Sequence, residues 1–169
     1  MMEQIDIIFY INISIVMEVG ELSLLKELAI NTDTIELPTF IGKLSSLKRL
    51  RIGSEKVQVI PDSIGTMKNL TCLTFYFTNI AEIPKTIGNL DKLKTLSIIY
   101  DSNITRLPVS ITSLKSLEHL DLCCMKIKEL PEFLKELPNL KEIYHSGTKI
   151  KKVPKALEKY CGLGLLNCI

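Results

Sequence analysis

The chain has 169 residues, a formal net charge of +2, 46% apolar residues and 24% charged residues. This length and composition are typical of one folded domain and exclude a disordered, collagen-like or disulfide-framework protein. The near-neutral charge gives no general attraction to nucleic acid or to an anionic membrane. Because no uninterrupted run of 18 apolar residues occurs, we expect no membrane-spanning helix.

The first 20 residues are superficially similar to a secretory signal, but they alternate as a strand does. Glu3 and Asp6 occupy the place where a signal peptide is positive, and Asn12 interrupts the apolar run. The five cysteines form no CxxC pair, which favours free thiols in a reducing compartment over a zinc site. We therefore expect a cytoplasmic protein with no metal and no other cofactor.

A repeat of 23 residues dominates the rest of the chain. Prolines recur at positions 38, 61, 84, 108, 131 and 154. The residues around each proline share the pattern seen in LTCLTFYFTNIAEIPKTIGNLDK (70–92). Written generally, that pattern is L-x-x-L-x-L-x-x-x-x-I-x-x-I/L-P-x-x-I-x-x-L. The repeating strand residue is found at Leu28, Leu50, Leu73, Leu96, Leu120 and Ile143. Such a period, with alternate leucines followed by apolar residues three apart, indicates a leucine-rich repeat.

Each repeat predicts one coil of a solenoid. The L-x-L segment is a short strand whose leucines point inward, and the proline ends the strand side because it lacks an N–H donor. The following I-x-x-L-x-x-L spacing closes the coil with a short helical or 3₁₀ segment. Since one coil cannot bury its apolar face, neighbouring coils must stack. The predicted fold is an α/β repeat solenoid, a leucine-rich repeat horseshoe with a concave parallel β-sheet and about seven repeats.

The repeats account for nearly the whole chain, so we expect a single domain over residues 1–169. It comprises a degenerate first repeat (1–24) with Ile5 and Ile7 at the strand positions, regular repeats (about 25–162) and an incomplete last repeat (163–169). Both ends expose apolar strand residues, which predicts end-to-end self-association or a fragment of a longer array. Opposite charges also fall 23 residues apart, at Glu129/Lys152, Glu132/Lys155, Lys135/Glu158 and Glu136/Lys159.

The pattern over essentially the whole chain resembles the Shoc-2-like class of leucine-rich repeats. The segments LPVSITSLKSLEHLDLCCMKIKELP (107–131) and SGTKIKKVPKALEKY (146–160) are most similar to plant NB-LRR disease-resistance receptors. Those receptors often have threonine where other classes have asparagine, as at Thr78 and Thr148. The resemblance implies an intracellular immune-recognition repeat domain. The alternatives are a Shoc-2 or Ras-group-related signalling scaffold, or a fragment without independent function.

Many members of that class keep an asparagine five residues after the strand leucine, and its amide bonds the next coil. Here the corresponding places hold Asp33, Glu55, Thr78, Asp101, Met125 and Thr148. We therefore expect a mixed ladder of bonds between coils, to which Met125 cannot contribute a polar side chain.

The candidate protein-binding residues are those predicted to face outward on, or beside, the concave strands. They are Arg49, Arg51, Thr74, Tyr76, Phe77, Ser97, Ile99, Tyr100, His119, Asp121, Cys123 and Tyr144. Tyr76, Phe77, Ile99 and Tyr100, with Cys123 and Cys124, are predicted to lie together at the lip of three coils. Exposed apolar and aromatic residues flanked by charge are typical of a partner-binding patch. Alternatively, Phe77 and Tyr100 simply pack over the coil edge.

Two further groups on this face have a functional and a structural interpretation. Arg49 and Arg51 could receive an acidic or phosphorylated partner segment, or they could form a solvated surface pair with Glu27. His119, Asp121 and Cys123 share the same face, but residues two apart on a strand are separated by about 6.5–7 Å. That is too far for a nucleophile–base hydrogen bond, so we expect a non-catalytic recognition module.

Overall fold

The computed structural model describes residues 7–9, 25–101 and 103–162. These residues form one eight-stranded parallel sheet whose spatial order follows the sequence. Its strands are β1 (Ile7–Phe9), β2 (Glu27–Ile30), β3 (Arg49–Gly53), β4 (Cys72–Tyr76), β5 (Thr95–Ile99), β6 (His119–Asp121), β7 (Glu142–Tyr144) and β8 (Cys161–Gly162). The convex 3₁₀ helices are η1 (Thr39–Lys43), η2 (Asp62–Thr66), η3 (Lys85–Asn89), η4 (Val109–Ser113), η5 (Glu132–Glu136) and η6 (Lys155–Tyr160). The predicted leucine-rich repeat solenoid is thereby confirmed.

The sheet register follows the predicted strand leucines. Leu50 lies opposite Leu28 and Leu73, and Leu96 lies opposite Leu73 and Leu120. These side chains belong to one continuous core that extends through the described coils. Because each coil presents an apolar residue at the same point, stacking removes a row of leucines from water, which favours this register over any other.

A proline precedes every described 3₁₀ helix and prepares its first turn. Pro38 has extended backbone angles (φ −67°, ψ 143°), and its carbonyl accepts a hydrogen bond from Ile41 N at 3.1 Å. On the next coils the same bond joins Ile64 N to Pro61 O and Ile87 N to Pro84 O. Since proline lacks an N–H but keeps its carbonyl, it can start the turn without leaving a donor unsatisfied.

The structure corrects the predicted alignment of the first and last units. Ile7, rather than Ile5, lies opposite Leu28, so β1 is displaced by two residues from the 23-residue pattern. At the other end, Cys161 already lies opposite Ile143. The predicted strand residues Leu163 and Leu166 lie outside the described residues, and end-to-end association stays a prediction.

The ladder position also differs from the prediction in the early coils. Asp33 and Glu55 are exposed, whereas Thr32 is buried and Ser54 is half-buried. Ser54 Oγ donates to Thr32 O and accepts from Lys56 N, so these two residues bond coil to coil. In the coils of β2 and β3 the ladder residue follows the strand leucine by four residues instead of five, because the left-handed residue found at Phe77 and Tyr100 is absent there.

The four predicted ion pairs between coils do not form in the described part of the chain. Lys135 instead pairs with Glu132 at 2.9 Å within η5. The predicted pairs are therefore wrong, although the stacking that they were taken to support is present.

Candidate protein-binding surface

One row of side chains crosses the concave sheet from β3 to β7. Backbone register places Thr74 beside Ser97 and Ser97 beside Asp121, with Arg51 and Tyr144 at the two ends of the row. Thr74, Ser97 and Asp121 are buried. This corrects the prediction that the three are accessible to a partner.

Cys123 is also buried, which corrects its placement among the partner-binding residues. Its backbone N–H donates to Asp121 Oδ1 at 3.0 Å. Burial first, and then Asp121, raise the pKa of the Cys123 thiol to about 12. The thiol is therefore protonated at neutral pH and a poor nucleophile, so its proximity in sequence to His119 does not produce an activated cysteine.

Three aromatic residues, which we call the aromatic lip, rise at the edge of the concave face. They are Tyr76, the last residue of β4, Phe77 beside it, and Tyr100 just after β5. The rings of Phe77 and Tyr100 stack with centroids 4.6 Å apart, and Tyr76 meets Phe77 edge-on at 6.2 Å. Phe77 nevertheless remains 51% exposed and Tyr100 41% exposed. The two rings pack against each other, as the structural alternative predicts, and still present apolar surface to solvent.

The backbone of the aromatic lip is in the left-handed region. Phe77 has φ 51°, Tyr100 has φ 56° and Cys124 has φ 61°, and the equivalent place in the next coil holds Gly147 at φ 72°. Left-handed backbone costs a non-glycine residue about 1–2 kcal/mol. A ladder of backbone bonds holds the conformation, from Phe77 N to Ile99 O at 3.2 Å and from Tyr100 N to Cys123 O at 3.1 Å. The chain thus keeps large side chains where glycine would fit without strain, a placement found at functional sites.

This series of left-handed residues was not predicted from the sequence, although one residue in the sequence indicates it. Gly147 occupies the same place in its coil as Phe77, Tyr100 and Cys124 do in theirs.

Tyr100 also contacts Cys124, whose charge and hydrogen bond raise the pKa of the Tyr100 hydroxyl. Because the hydroxyl stays protonated at neutral pH, the exposed stack of the aromatic lip carries no charge of its own.

Two arginines on β3, Arg49 and Arg51, form different contacts. Arg49 Nε lies 3.6 Å from Glu27 Oε1, which is the solvated pair that the structural alternative predicts. The guanidinium of Arg51 lies over the ring of Tyr76, with Cζ 5.6 Å from the ring centroid. Arg51 is half-buried, so part of its charge is held against the aromatic lip.

Gly53 supports the ring of Tyr76 from the neighbouring strand and was not among the predicted site residues. The two residues are opposite each other in the register. A Cβ added to Gly53 would lie 2.1 Å from Tyr76 Cζ, so the ring lies directly across the glycine.

We expect Gly53→Ala to displace the Tyr76 ring without unfolding the protein, since the clash meets the end of a half-exposed side chain. Tyrosine-labelled NMR spectra should show the Tyr76 ring resonances shifting while those of Tyr144 stay in place. Gly162→Ala is the matched control, because its added Cβ would approach the Tyr144 ring only to 3.1 Å. Unchanged Tyr76 resonances in Gly53→Ala would contradict the placement of the ring.

A second polar group lies at the β6–β7 end of the concave face. His119 Nδ1 is 2.9 Å from Glu142 Oε2, and the Tyr144 hydroxyl donates to the same oxygen at 2.5 Å. The hydrogen bond from Tyr144 lowers the pKa of Glu142, and the carboxylate raises the pKa of Tyr144 to about 12. Glu142 was not among the predicted site residues, and it holds His119 and Tyr144 together. Ile99, half-buried at the end of β5, lies opposite Tyr76 in the register.

The described residues contain no group of three His, Cys, Asp or Glu side chains arranged to hold a metal ion. In the same part of the chain, no helix is long and apolar enough to cross a membrane. The concave face presents two groups of interacting side chains, the aromatic lip with Arg51, and Glu142 with His119 and Tyr144.

Comparisons with known proteins agree with the repeat architecture. A family model described as a leucine-rich repeat region matches residues 10–103. The chain is 32% identical to the disease resistance protein RPS6 of Arabidopsis thaliana over 142 residues, which cover 80% of the chain and 12% of that protein. It is 30% identical to the volume-regulated anion channel subunit LRRC8A of Homo sapiens over 149 residues, covering 83% of the chain and 18% of the subunit.

Among solved structures, the plant peptide hormone receptor RGFR1 in complex with RGF2 is similar with a TM-score of 0.63 and 26% identity. The similarity covers 79% of this chain and 22% of the receptor. The chain spans between 9% and 18% of the length of curated relatives such as RPS4B and LRRC8A. Repeats of this fold are typically non-catalytic protein-interaction modules. The chain belongs to the leucine-rich repeat family, and its repeats resemble those of plant disease resistance proteins.

Proposed function

We propose that this chain is a non-catalytic recognition module that binds a protein partner through the aromatic lip of its concave face. The observation that carries the proposal is the exposed stack of Phe77 and Tyr100, held on strained left-handed backbone. A rigid sheet presents these rings already ordered, so little conformational entropy is lost on binding. Aromatic residues are also enriched among those that contribute most to binding energy.

The resemblance to plant disease resistance proteins supports a more specific role. We infer that the chain serves in the cytoplasm as part of an immune-receptor-like repeat domain that senses a foreign protein or restrains a switch. The relatives named as disease resistance proteins, among them RPS6, carry this inference for the chain.

The test uses the double variant Phe77→Gly with Tyr100→Gly. Glycine removes both rings while fitting the left-handed backbone, so relief of strain offsets the lost stacking of about 0.5–1.5 kcal/mol. We expect the melting temperature to change little, and the proteins captured from the native cell extract by the wild-type chain to be lost.

The matched control is Ile35→Ser with Val109→Ser, which removes two apolar side chains that are 60% and 65% exposed away from the aromatic lip. Quantitative mass spectrometry should find the same captured proteins with this control as with wild type. Retention of those proteins by the glycine variant, with loss in the control, would place the binding surface elsewhere.

A further inference from the structure

Arg51 is a charged residue that contacts the aromatic lip. Its guanidinium lies over Tyr76, and in the described part of the chain no carboxylate forms an ion pair with it. Arg49, two residues away on β3, is by contrast already paired with Glu27. A guanidinium has five N–H donors in a planar fork that suits a carboxylate. The edge of the lip on β3 therefore offers positive charge and hydrogen-bond donors to an incoming partner.

The aromatic surface and this charge are separated by a distance that an extended peptide can bridge. The Arg51 guanidinium is 5.6 Å from the Tyr76 centroid, and the Tyr76 and Phe77 centroids are 6.2 Å apart. Each step equals the length of about two residues of extended chain, at about 3.3 Å per residue. A side chain on the Phe77–Tyr100 stack and another at Arg51 can thus belong to one segment, within about four residues of each other.

The same arrangement disfavours a cationic segment. A Lys or Arg from a partner would compete with Arg51 for the Tyr76 ring and would be repelled by its charge. The stack itself is neutral at pH 7, because phenylalanine carries no charge and a tyrosine hydroxyl is protonated there. Charge complementarity therefore selects an anion at the β3 edge and an apolar group at the stack.

We propose that the aromatic lip binds an extended acidic–apolar protein segment, with an apolar or aromatic side chain on the Phe77–Tyr100 stack and an Asp or Glu carboxylate at Arg51. This inference rests on the proposed recognition function and adds the chemistry of the partner. The carboxylate lies within about four residues of the apolar anchor, on the β3 side of it.

The probe is a library of random 12-residue peptides displayed on phage and selected on the immobilised full chain. The wild-type chain is expected to enrich peptides that have Asp or Glu within four residues of Phe, Trp, Leu or Ile. Arg51→Glu should lose that acidic preference and select Lys or Arg instead. A peptide selected on the wild type should bind this variant at least tenfold more weakly. Arg106→Glu, the same charge change at an exposed arginine off the lip, should select as the wild type does.

The outcomes separate this inference from the function on which it rests. One contrary result is that the selected peptides require Phe77 and Tyr100 and yet show no acidic preference, and another is that they bind Arg51→Glu as tightly as the wild type. Either result would overturn the inference of an acidic–apolar segment and leave recognition by the aromatic lip intact. Enrichment that survives Phe77→Gly with Tyr100→Gly would overturn both. Enrichment of no peptide would overturn the extended-segment inference alone, since capture from the cell extract reports on recognition independently.

Discussion

Replacing Leu96 with alanine is expected to lower the free energy of unfolding by about 2–5 kcal/mol. Leu96 is fully buried on β5, in register with Leu73 and Leu120 on the two neighbouring strands. Truncation removes three carbon atoms from a site whose neighbours belong to separate coils and cannot collapse together into the cavity. Urea denaturation followed by circular dichroism measures the loss.

Ile35→Ala is the matched control for this prediction, because it also removes three side-chain carbons but from a residue that is 60% exposed. We expect its free energy of unfolding to stay within about 0.5 kcal/mol of wild type. Equal losses in the two variants would show that Leu96 does not occupy the interior position given to it by the 23-residue pattern.

The repeat pattern was sufficient to predict the sheet, since each coil must bury the same points against its neighbours. Leu50, Leu73 and Leu96 could be aligned from sequence because a leucine displaced by one residue would face solvent. The recurring prolines could likewise be assigned from sequence to the start of the convex segment, and each of them precedes a 3₁₀ helix in the described coils. Periodicity therefore determined both the topology and the core.

Periodicity could not predict local changes that preserve the overall repeat. The left-handed residue Phe77 moves the ladder position one residue further from the strand leucine, yet Leu73 precedes Pro84 by eleven residues just as Leu50 precedes Pro61. For the same reason the sequence placed the ladder at Asp33, where the structure has Thr32. A shift of one residue within a coil leaves a weak signal in the sequence, which here is the glycine of one coil, Gly147.

The candidate site was predicted only in part, because outward direction on a strand does not equal accessibility. Tyr76, Phe77 and Tyr100 were correctly brought together at one edge, whereas Thr74 and Ser97 face outward and are nevertheless buried. Accessibility depends on the size of four neighbours on two adjacent strands, which a strand-by-strand alternation does not consider. The support of Tyr76 by Gly53 is likewise a contact between strands.

Replacing Asp101 with alanine is expected to destabilise the protein by at least about 3 kcal/mol, because several buried donors lose their acceptor together. Asp101 is fully buried beyond the end of β5. Its Oδ2 accepts from Thr78 Oγ1 at 2.6 Å and from Ile80 N at 3.0 Å. Its Oδ1 accepts from Asn103 N at 2.9 Å and from Ile104 N at 3.2 Å. One carboxylate thus joins two neighbouring coils.

Asp101→Asn separates the loss of volume from the loss of acceptors. The amide oxygen can take over the bonds from Asn103 N and Ile104 N, and its N–H can donate to the Thr78 hydroxyl, which leaves Ile80 N without an acceptor. We expect this variant to lose about 1–3 kcal/mol, less than alanine does. Asp33→Ala is the control, since Asp33 is the exposed residue that the sequence aligned with Asp101, and its loss should be within about 0.5 kcal/mol. If Asp33→Ala destabilised as much as Asp101→Ala, both residues would belong to the ladder and the one-residue offset between early and late coils would be wrong.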